Sequence, residues 1–139
     1  MNVFLKAKSH NADGFSNIVA LGDFVFVSGQ LGQGKTFDEQ CRSVFEKMED
    51  LLACYNLACR HIVKMTVYLS NLDNKGKFLD MFKERLEAPY TVYSIVEVNR
   101  LDEDALVMFD ACAIDTLRYE KNLKESSCQG CTCQGCKGC

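Results

Sequence analysis

The sequence has 139 residues, of which 47% are hydrophobic and 25% charged, and its formal net charge is −3. A chain of this length buries roughly two-thirds of its unfolded surface, so it needs no disulfide bonds to form a core. Sixteen Lys and Arg residues stand against nineteen Asp and Glu residues. Because no basic cluster would neutralise several phosphates, the charge argues against a nucleic-acid partner. No window approaches the roughly eighteen apolar residues of a membrane span and no signal peptide is recognisable, which predicts a cytoplasmic protein.

Two short runs of β-branched and aromatic residues stand near the start of the chain. Residues Asn17 to Leu21 and Phe24 to Ser28 are separated by Gly22-Asp23, a dipeptide typical of tight turns. They therefore predict a first hairpin. The glycine-rich stretch from 29 to 34 lacks the Lys-Ser/Thr ending of a phosphate loop and the spacing of a dinucleotide fingerprint. We interpret it as a turn-rich connection.

A long amphipathic helix is predicted next. Thr36 and Glu39 have the spacing of a capping box, in which the Thr hydroxyl accepts a hydrogen bond from the Glu39 amide and the Glu side chain reaches back. We end the helix at Asn56, because Asn tolerates the left-handed conformation that closes many helices. The charged face towards water includes Lys47. The apolar stripe consists of Phe37, Cys41, Val44, Phe45, Met48, Leu51, Leu52 and Tyr55.

A third strand and a second helix follow this segment. Apolar residues alternate from Ile62 to Leu69, which is the pattern of a strand. After a polar turn at residues 71–74, apolar residues return at helical spacing, and Pro89 ends the helix. That second apolar stripe consists of Phe78, Met81, Phe82 and Leu86.

Two strands close the predicted fold, and the second contains a carboxylate. Residues from Val92 to Asn99 alternate between two faces, and a polar break then separates them from an almost wholly apolar run, Ala105 to Ile114. This run predicts a central strand covered on both sides, paired with the preceding strand as a hairpin. Asp110 alone interrupts it. Because a carboxylate is costly to bury without a partner, Asp110 is the first candidate for a functional residue.

The predicted order of elements is ββαβαββ. It indicates an α+β fold with one mixed sheet and two helices packed on one of its faces. The strand after each helix can join parallel to an earlier strand through a right-handed crossover. The other face is then too apolar for a monomer, and a trimer or other closed oligomer would cover it. We place the domain at residues 1–118, a polar linker at 119–127 and a cysteine-rich tail at 128–139.

Four segments resemble, in the same order, the Rid/YjgF family of reactive-intermediate deaminases, which act on imines and enamines. These segments begin at Phe24, Val63, Val96 and Ala105 and read FVFVSGQ, VKMTVYL, VEVNRL and ALVMFDACA. The resemblance covers roughly residues 10–118. It implies a chorismate-mutase-like fold, a homotrimer, clefts for a small ligand at the subunit interfaces, and no cofactor for the domain.

The resemblance also assigns a carboxylate-binding Arg, which this chain lacks. Family deaminases hold the carboxylate of a 2-imino acid with an Arg just before the penultimate strand. Counting back from Val96 puts Tyr93 at that position, and counting forward from Pro89 puts Thr91 there. Arg100 belongs to the opposite face of an extended chain. Ordinary 2-imino acids are therefore not the expected substrates.

Further positions carried over from the family differ in their chemistry. The family has a Glu in the final strand that positions the hydrolytic water, and Asp110 stands there with a side chain shorter by one methylene. A misplacement of about an ångström can cost on the order of a hundredfold in rate. Where the family has Gly-Pro-Tyr, this chain has Gly14-Phe-Ser16. The resemblance thus implies Asp110 as the catalytic residue, with Tyr93, Phe15 and Ser28 in contact with the substrate.

Each of these residues also has a purely structural interpretation. Asp110 can cap a backbone amide or pair with a cation, as buried carboxylates often do. Tyr93 can serve as an interface aromatic. Ser28 can satisfy a backbone group, since neither His lies beside it in the sequence to act as its base. From the sequence, both interpretations stay open.

Five of the nine cysteines lie in the last twelve residues. Closely spaced thiolates separated by glycines suit Zn, Cu(I) or an iron–sulfur cluster. The alternative is a disordered reduced tail, or one whose thiols exchange as a redox relay. The density of the thiols favours metal or thiol chemistry. The predicted ligands are Cys128, Cys131, Cys133, Cys136 and Cys139.

Three functional hypotheses follow from these patterns. The first is a hydrolytic deaminase of altered substrate range that uses Asp110 to position water. The second is a non-catalytic homotrimer that binds a small metabolite in the same clefts. The third is a metal- or thiol-handling module, in which the trimer gathers three tails.

Overall fold

In the described part of the chain, the fold is built on one mixed six-stranded sheet and two long helices. The computed structural model describes residues 14–86, 91–117, 119–121 and 123, together with the backbone of residues 6–10. The strands are β1 (Lys6–His10), β2 (Ser16–Leu21), β3 (Phe24–Leu31), β4 (Ile62–Leu69), β5 (Val92–Glu97) and β6 (Val107–Ile114), and the helices are α1 (Phe37–Ala53) and α2 (Lys75–Arg85). The predicted order of elements is confirmed, with β1 as one further strand ahead of it.

Strand β6 lies in the middle of the sheet, whose order is β1-β2-β3-β6-β4-β5. It pairs antiparallel with both β3 and β4, which confirms the predicted central position. The predicted hairpin between β5 and β6 is wrong, because β5 pairs with β4 in parallel. Helix α2 leads the chain to β5 at the edge of the sheet, beside β4. The connection after β5 then passes β4, and β6 takes the central position. Alternation identified both strands but contains no information on their partners.

The core lies between the sheet and the two helices, which share one face. The ring of Phe109 on β6 is 5.0 Å from that of Phe45 on α1 and 6.0 Å from that of Phe78 on α2. All three side chains are fully buried. The predicted apolar stripe of α1 supplies its buried residues, including Cys41 and Met48. Its burial stabilises the fold because each such side chain removes its apolar surface from water.

Helix α1 begins where the capping pattern predicts. The Thr36 hydroxyl accepts a hydrogen bond from the Glu39 amide at 3.2 Å. The Glu39 carboxylate reaches back one residue further than expected and accepts from the amide of Lys35 at 2.8 Å. The regular helix ends at Ala53, and Asn56 has the predicted left-handed backbone with φ of 61°.

Several of the described residues after β6 are helical. Residues 117, 119–121 and 123 are helical, although the sequence predicted a polar linker from 119. Both guanidinium nitrogens of Arg60 donate to the Glu120 carboxylate, and the Tyr119 hydroxyl donates to Asp23 at 3.2 Å. The described part of the predicted linker is therefore attached to the sheet. None of the described helices is long and apolar enough to span a membrane.

Candidate functional site

The face of the sheet opposite the helices, here called the outer face, is apolar at one end and polar in its centre. Phe24 and Phe26 on β3 stack with ring centroids 6.4 Å apart, yet they are 51% and 46% exposed. On β6 the helix-facing side chains are buried, whereas the alternate ones are only half-buried. The prediction that β6 is covered on both sides is therefore wrong for the described part of a single chain, in which both helices pack on the other face.

Asp110 lies in the polar centre of this outer face. It pairs with Thr66 across the β4–β6 ladder, and the Tyr68 hydroxyl lies 3.4 Å from its Oδ2 atom. This separation is longer than the usual distance of about 2.7–2.8 Å, so the hydrogen bond is weak. The negative charge of Asp110 raises the pKa of Tyr68, because a phenolate beside a carboxylate is disfavoured. Asp110 thus keeps acceptor capacity for a further donor.

A cavity of about 360 Å³ opens beside Asp110. Its size is at the lower end of the range for small-molecule sites. Ser28 lines the cavity, but its hydroxyl already accepts a hydrogen bond from the Gln30 amide at 3.1 Å. The polar and sulfur-bearing side chains around the cavity are Ser28, Lys64, Thr66, Asp110 and Cys112. Both a cation and an anion are therefore available to a bound molecule.

Phe15 lines a different cavity, of about 350 Å³, at the carboxyl end of β3. Met108 is the β6 residue in its wall, two positions before Asp110. Within a single chain, Phe15 and Asp110 therefore line two different cavities. Their sharing one cleft at a subunit interface stays a prediction.

Gly29 lines both cavities, so the two cavities adjoin each other at this residue. A Cβ atom at this position would lie 2.8 Å from the Met108 sulfur, so a side chain here would displace Met108. The pairing of β3 with β6 shifts between Val27 and Gln30, which is a bulge of the kind often found beside functional sites. The glycine-rich stretch from 29 to 34 was predicted to be irregular; β3 extends into it as far as Leu31, and residues 32–34 are irregular as predicted.

Tyr93 is on the opposite face of the sheet from Asp110. It is in register with the buried Met65, and its ring centroid is 5.5 Å from that of Phe82 on α2. Thr91, the other candidate for the missing Arg position, has a buried hydroxyl without a hydrogen-bond partner among the described residues. Within one chain, Tyr93 packs against helix α2 and does not line the cavity beside Asp110, so its contact with the substrate stays a prediction.

The five predicted metal ligands, from Cys128 to Cys139, lie outside the described residues. Within the described part of the chain, no three His, Cys, Asp or Glu side chains lie together as a metal site would require. Burial raises the pKa of Cys41 and of Cys59 to about 12. Both side chains are therefore protonated thiols at neutral pH, which are poor metal ligands.

Comparison with known proteins shows which family has this fold. The family model described as Endoribonuclease L-PSP matches residues 6–115. A RutC family protein of Pyrococcus abyssi is 30% identical over 107 residues, which cover 71% of this chain and 84% of that protein. The chain therefore belongs to this family, which is the Rid/YjgF family that its sequence resembles.

Two further relatives bear on the activity and on the fold. A Dermatophagoides farinae protein named 2-iminobutanoate/2-iminopropanoate deaminase is 22% identical over 108 residues, covering 72% of this chain and 84% of the relative. The crystal structure of RidA from an Antarctic Psychrobacter bacterium matches with a TM-score of 0.73 and 25% identity, over 80% of this chain and 98% of that one. The predicted chorismate-mutase-like fold is confirmed.

Proposed function

We propose that this protein is a homotrimeric hydrolytic deaminase of imines or enamines, and that the short 2-imino acids are not its preferred substrates. One observation carries the proposal: Asp110 is a half-buried carboxylate on a cavity wall and, among the described residues, it accepts only one weak hydrogen bond, from Tyr68. The relative named as an imine deaminase supports the reaction type. A carboxylate with spare acceptor capacity beside a cavity is the group that such a hydrolysis needs.

The reaction would require one proton acceptor and one water molecule. The water oxygen bonds to the imine carbon while Asp110 takes a proton from that water, and the π electrons of the C=N bond move to nitrogen. The proton that Asp110 accepted then returns to nitrogen, which gives a carbinolamine. Asp110 next takes the hydroxyl proton of the carbinolamine and passes it to the nitrogen, while the C=O bond forms and the C–N bond breaks. Ammonia leaves, and a carbonyl compound is the second product. Ser28, Lys64 and Thr66 border the same cavity and would orient the substrate.

The restricted substrate range follows from the missing Arg. An Arg and a carboxylate form two charge-assisted hydrogen bonds, and losing one partner costs a few kcal/mol. Arg100, the described Arg closest in sequence to Tyr93, is paired with Asp104 at 3.0 Å. No Arg is among the described residues that line the cavity beside Asp110, so a 2-imino acid would have no guanidinium there to hold its carboxylate beside the reacting carbon.

The test is ammonia release from a panel of neutral and acidic imines by the wild type and by Asp110→Asn. A general base contributes roughly a hundredfold to ten-thousandfold, so the variant should lose at least a hundredfold in kcat. Asp80→Asn is the matched control, because this exposed carboxylate lies on helix α2, away from Asp110. Unchanged turnover in Asp110→Asn would refute the role of Asp110. A wild type that binds ligands but turns over none of the panel would instead be the non-catalytic homotrimer.

A further inference from the structure

Lys47 is a partly buried ammonium on the inner side of helix α1. Its Nζ atom donates to the backbone oxygen of Leu31 at 2.8 Å. Among the described residues no carboxylate lies within 4.0 Å of it, since the ion pairs there use other side chains. An ammonium has three N–H donors, so two remain for solvent or a ligand. The sequence assigned Lys47 to the water-facing side of the helix, and this interpretation is wrong because the side chain turns back to β3.

The ammonium faces the cavity that Phe15 borders, together with the side chains of Gln30 and Met108. Burial lowers the pKa of Lys47, while the charge of Glu103 acts in the opposite direction. An ammonium that has lost part of its hydration gains more from an anionic partner than one in open water. Lys47 is thus a cation in the wall of the cavity that Phe15 borders, and this cavity adjoins the one beside Asp110.

The spacing along β6 relates this cation to the reacting centre. Met108 and Asp110 project to the same face and are two residues apart, which corresponds to roughly 7 Å between their Cα atoms. A substrate whose reacting carbon lies beside Asp110 and which extends past Gly29 would bring its far end to Lys47. A short 2-imino acid, whose carboxylate is bonded directly to the imine carbon, does not reach both groups.

We propose that Lys47 binds a carboxylate at the far end of the substrate, so that the preferred substrates are imines or enamines with an anionic group several bonds from the reacting carbon. This inference rests on the proposed function, because it takes Asp110 as the reacting end. A carboxylate fits better than a phosphate. Asp102 and Glu103 line the same cavity, and they would repel a dianion more strongly than a single negative charge.

The substrate experiment compares 2-iminobutanoate with 2-iminoglutarate and 2-iminoadipate, each generated in situ from the amino acid by an amino-acid oxidase. We expect kcat/KM to be at least tenfold higher for the two substrates with a distal carboxylate. Lys47→Met should remove this preference by raising KM, with kcat nearly unchanged, and Lys47→Arg should retain most of it. Equal kcat/KM for the three substrates would overturn the inference.

Lys64→Met tests the other cation of the site, whereas Lys77→Met, at an exposed ammonium on helix α2, is the matched control and should keep the substrate preference unchanged. Lys64 is an exposed ammonium on the outer face. Its register partner on β6 is Cys112, so Lys64 lies on the far side of Asp110 from Met108. The preference for a distal carboxylate should survive in Lys64→Met. If it is lost in Lys64→Met and kept in Lys47→Met, the carboxylate lies at the opposite end of the site and the inference is wrong.

Thermal unfolding of each variant shows whether the hydrogen bond from Lys47 to Leu31 only stabilises the fold. In that case Lys47→Met lowers the midpoint, and the substrate preference stays.

A binding measurement separates this inference from the proposed function. Titration of the Asp110→Asn protein with 2-oxoglutarate and 2-oxobutanoate needs no turnover. We expect tighter binding of 2-oxoglutarate, and loss of that difference when Lys47→Met is added. If this result appears while the wild type hydrolyses no imine, the carboxylate site stands and the deaminase proposal fails. If hydrolysis depends on Asp110 while the two oxo acids bind equally, the Lys47 inference alone fails.

Discussion

Glu120 connects the end of the described chain to the sheet. Its carboxylate accepts from both terminal nitrogens of Arg60 and from the Thr116 hydroxyl at 3.3 Å. The Nε2 atom of the buried His61 lies 3.5 Å from the same carboxylate. The hydrogen bond from Arg60 is the main cause that lowers the pKa of Glu120 from 4.5 to about 2, against the smaller opposing effect of burial. The ionised form is therefore the one that holds the helical segment.

We predict that this attachment weakens in acid. Because the pKa of Glu120 is lower in the folded than in the unfolded chain, its stabilisation is complete above about pH 4.5 and is lost as the pH falls towards 2. The Arg60 side chain is more than half exposed, so we expect at most about 1 kcal/mol at neutral pH. Denaturant unfolding of the wild type and Glu120→Gln at pH 7 and pH 3 measures it. A difference in unfolding free energy that grows at pH 3 would contradict the prediction.

The candidate site was predictable residue by residue only within a strand. The alternation of side chains along an extended chain correctly puts Met108 and Asp110 on one face of β6. This alternation could not relate Tyr93 to Asp110, because their strands are separated by β4 and the register depends on pairing. The resemblance to the family predicted a ligand cleft but not its dimensions. Lys47 was missed because helical periodicity puts it on the solvent side, whereas its long side chain bends back to Leu31.

Among the helices and strands, the predictable features were those that depend on residues close together in the sequence. The apolar period of α1 and the Thr36 cap identify that helix with its start, because they depend on residues three or four apart. The parallel pairing of β5 with β4 depends on how α2 packs, which no local pattern contains. The helical segment beyond Ile114 was likewise missed, since its ion pair joins Arg60 to a residue sixty positions later.

The exposed aromatic residues of the outer face lead to a prediction about how whole molecules associate. Phe24 and Phe26 are large aromatic residues that a single chain leaves about half exposed, and apolar patches of this kind usually mark an interface. We predict a homotrimer, with a mass in light scattering near three times 15.7 kDa. Phe24→Lys should shift the protein towards the monomer mass, because a charge would be buried in the interface. The control is Leu72→Lys, at an exposed apolar residue in the turn before α2, which should leave the mass unchanged. A wild type that is monomeric at micromolar concentration would refute the trimer.

The last prediction concerns the cysteine-rich tail at residues 128–139, and it states that the tail and not the domain holds any metal. Four of its five thiolates can surround one tetrahedral Zn²⁺ or Cu(I) ion, and they must lose protons first, so the affinity should fall at low pH. The buried thiols of Cys41 and Cys59 cannot substitute, because burial raises the pKa of each to about 12. A chain ending at Lys124 should stay trimeric after anaerobic purification in reductant yet lose the zinc or copper found by elemental analysis. Replacing the five tail cysteines with Ser in the full chain should give the same loss. Equal metal content with and without the tail, or no metal in either protein, would leave the tail a thiol-exchange or disordered segment.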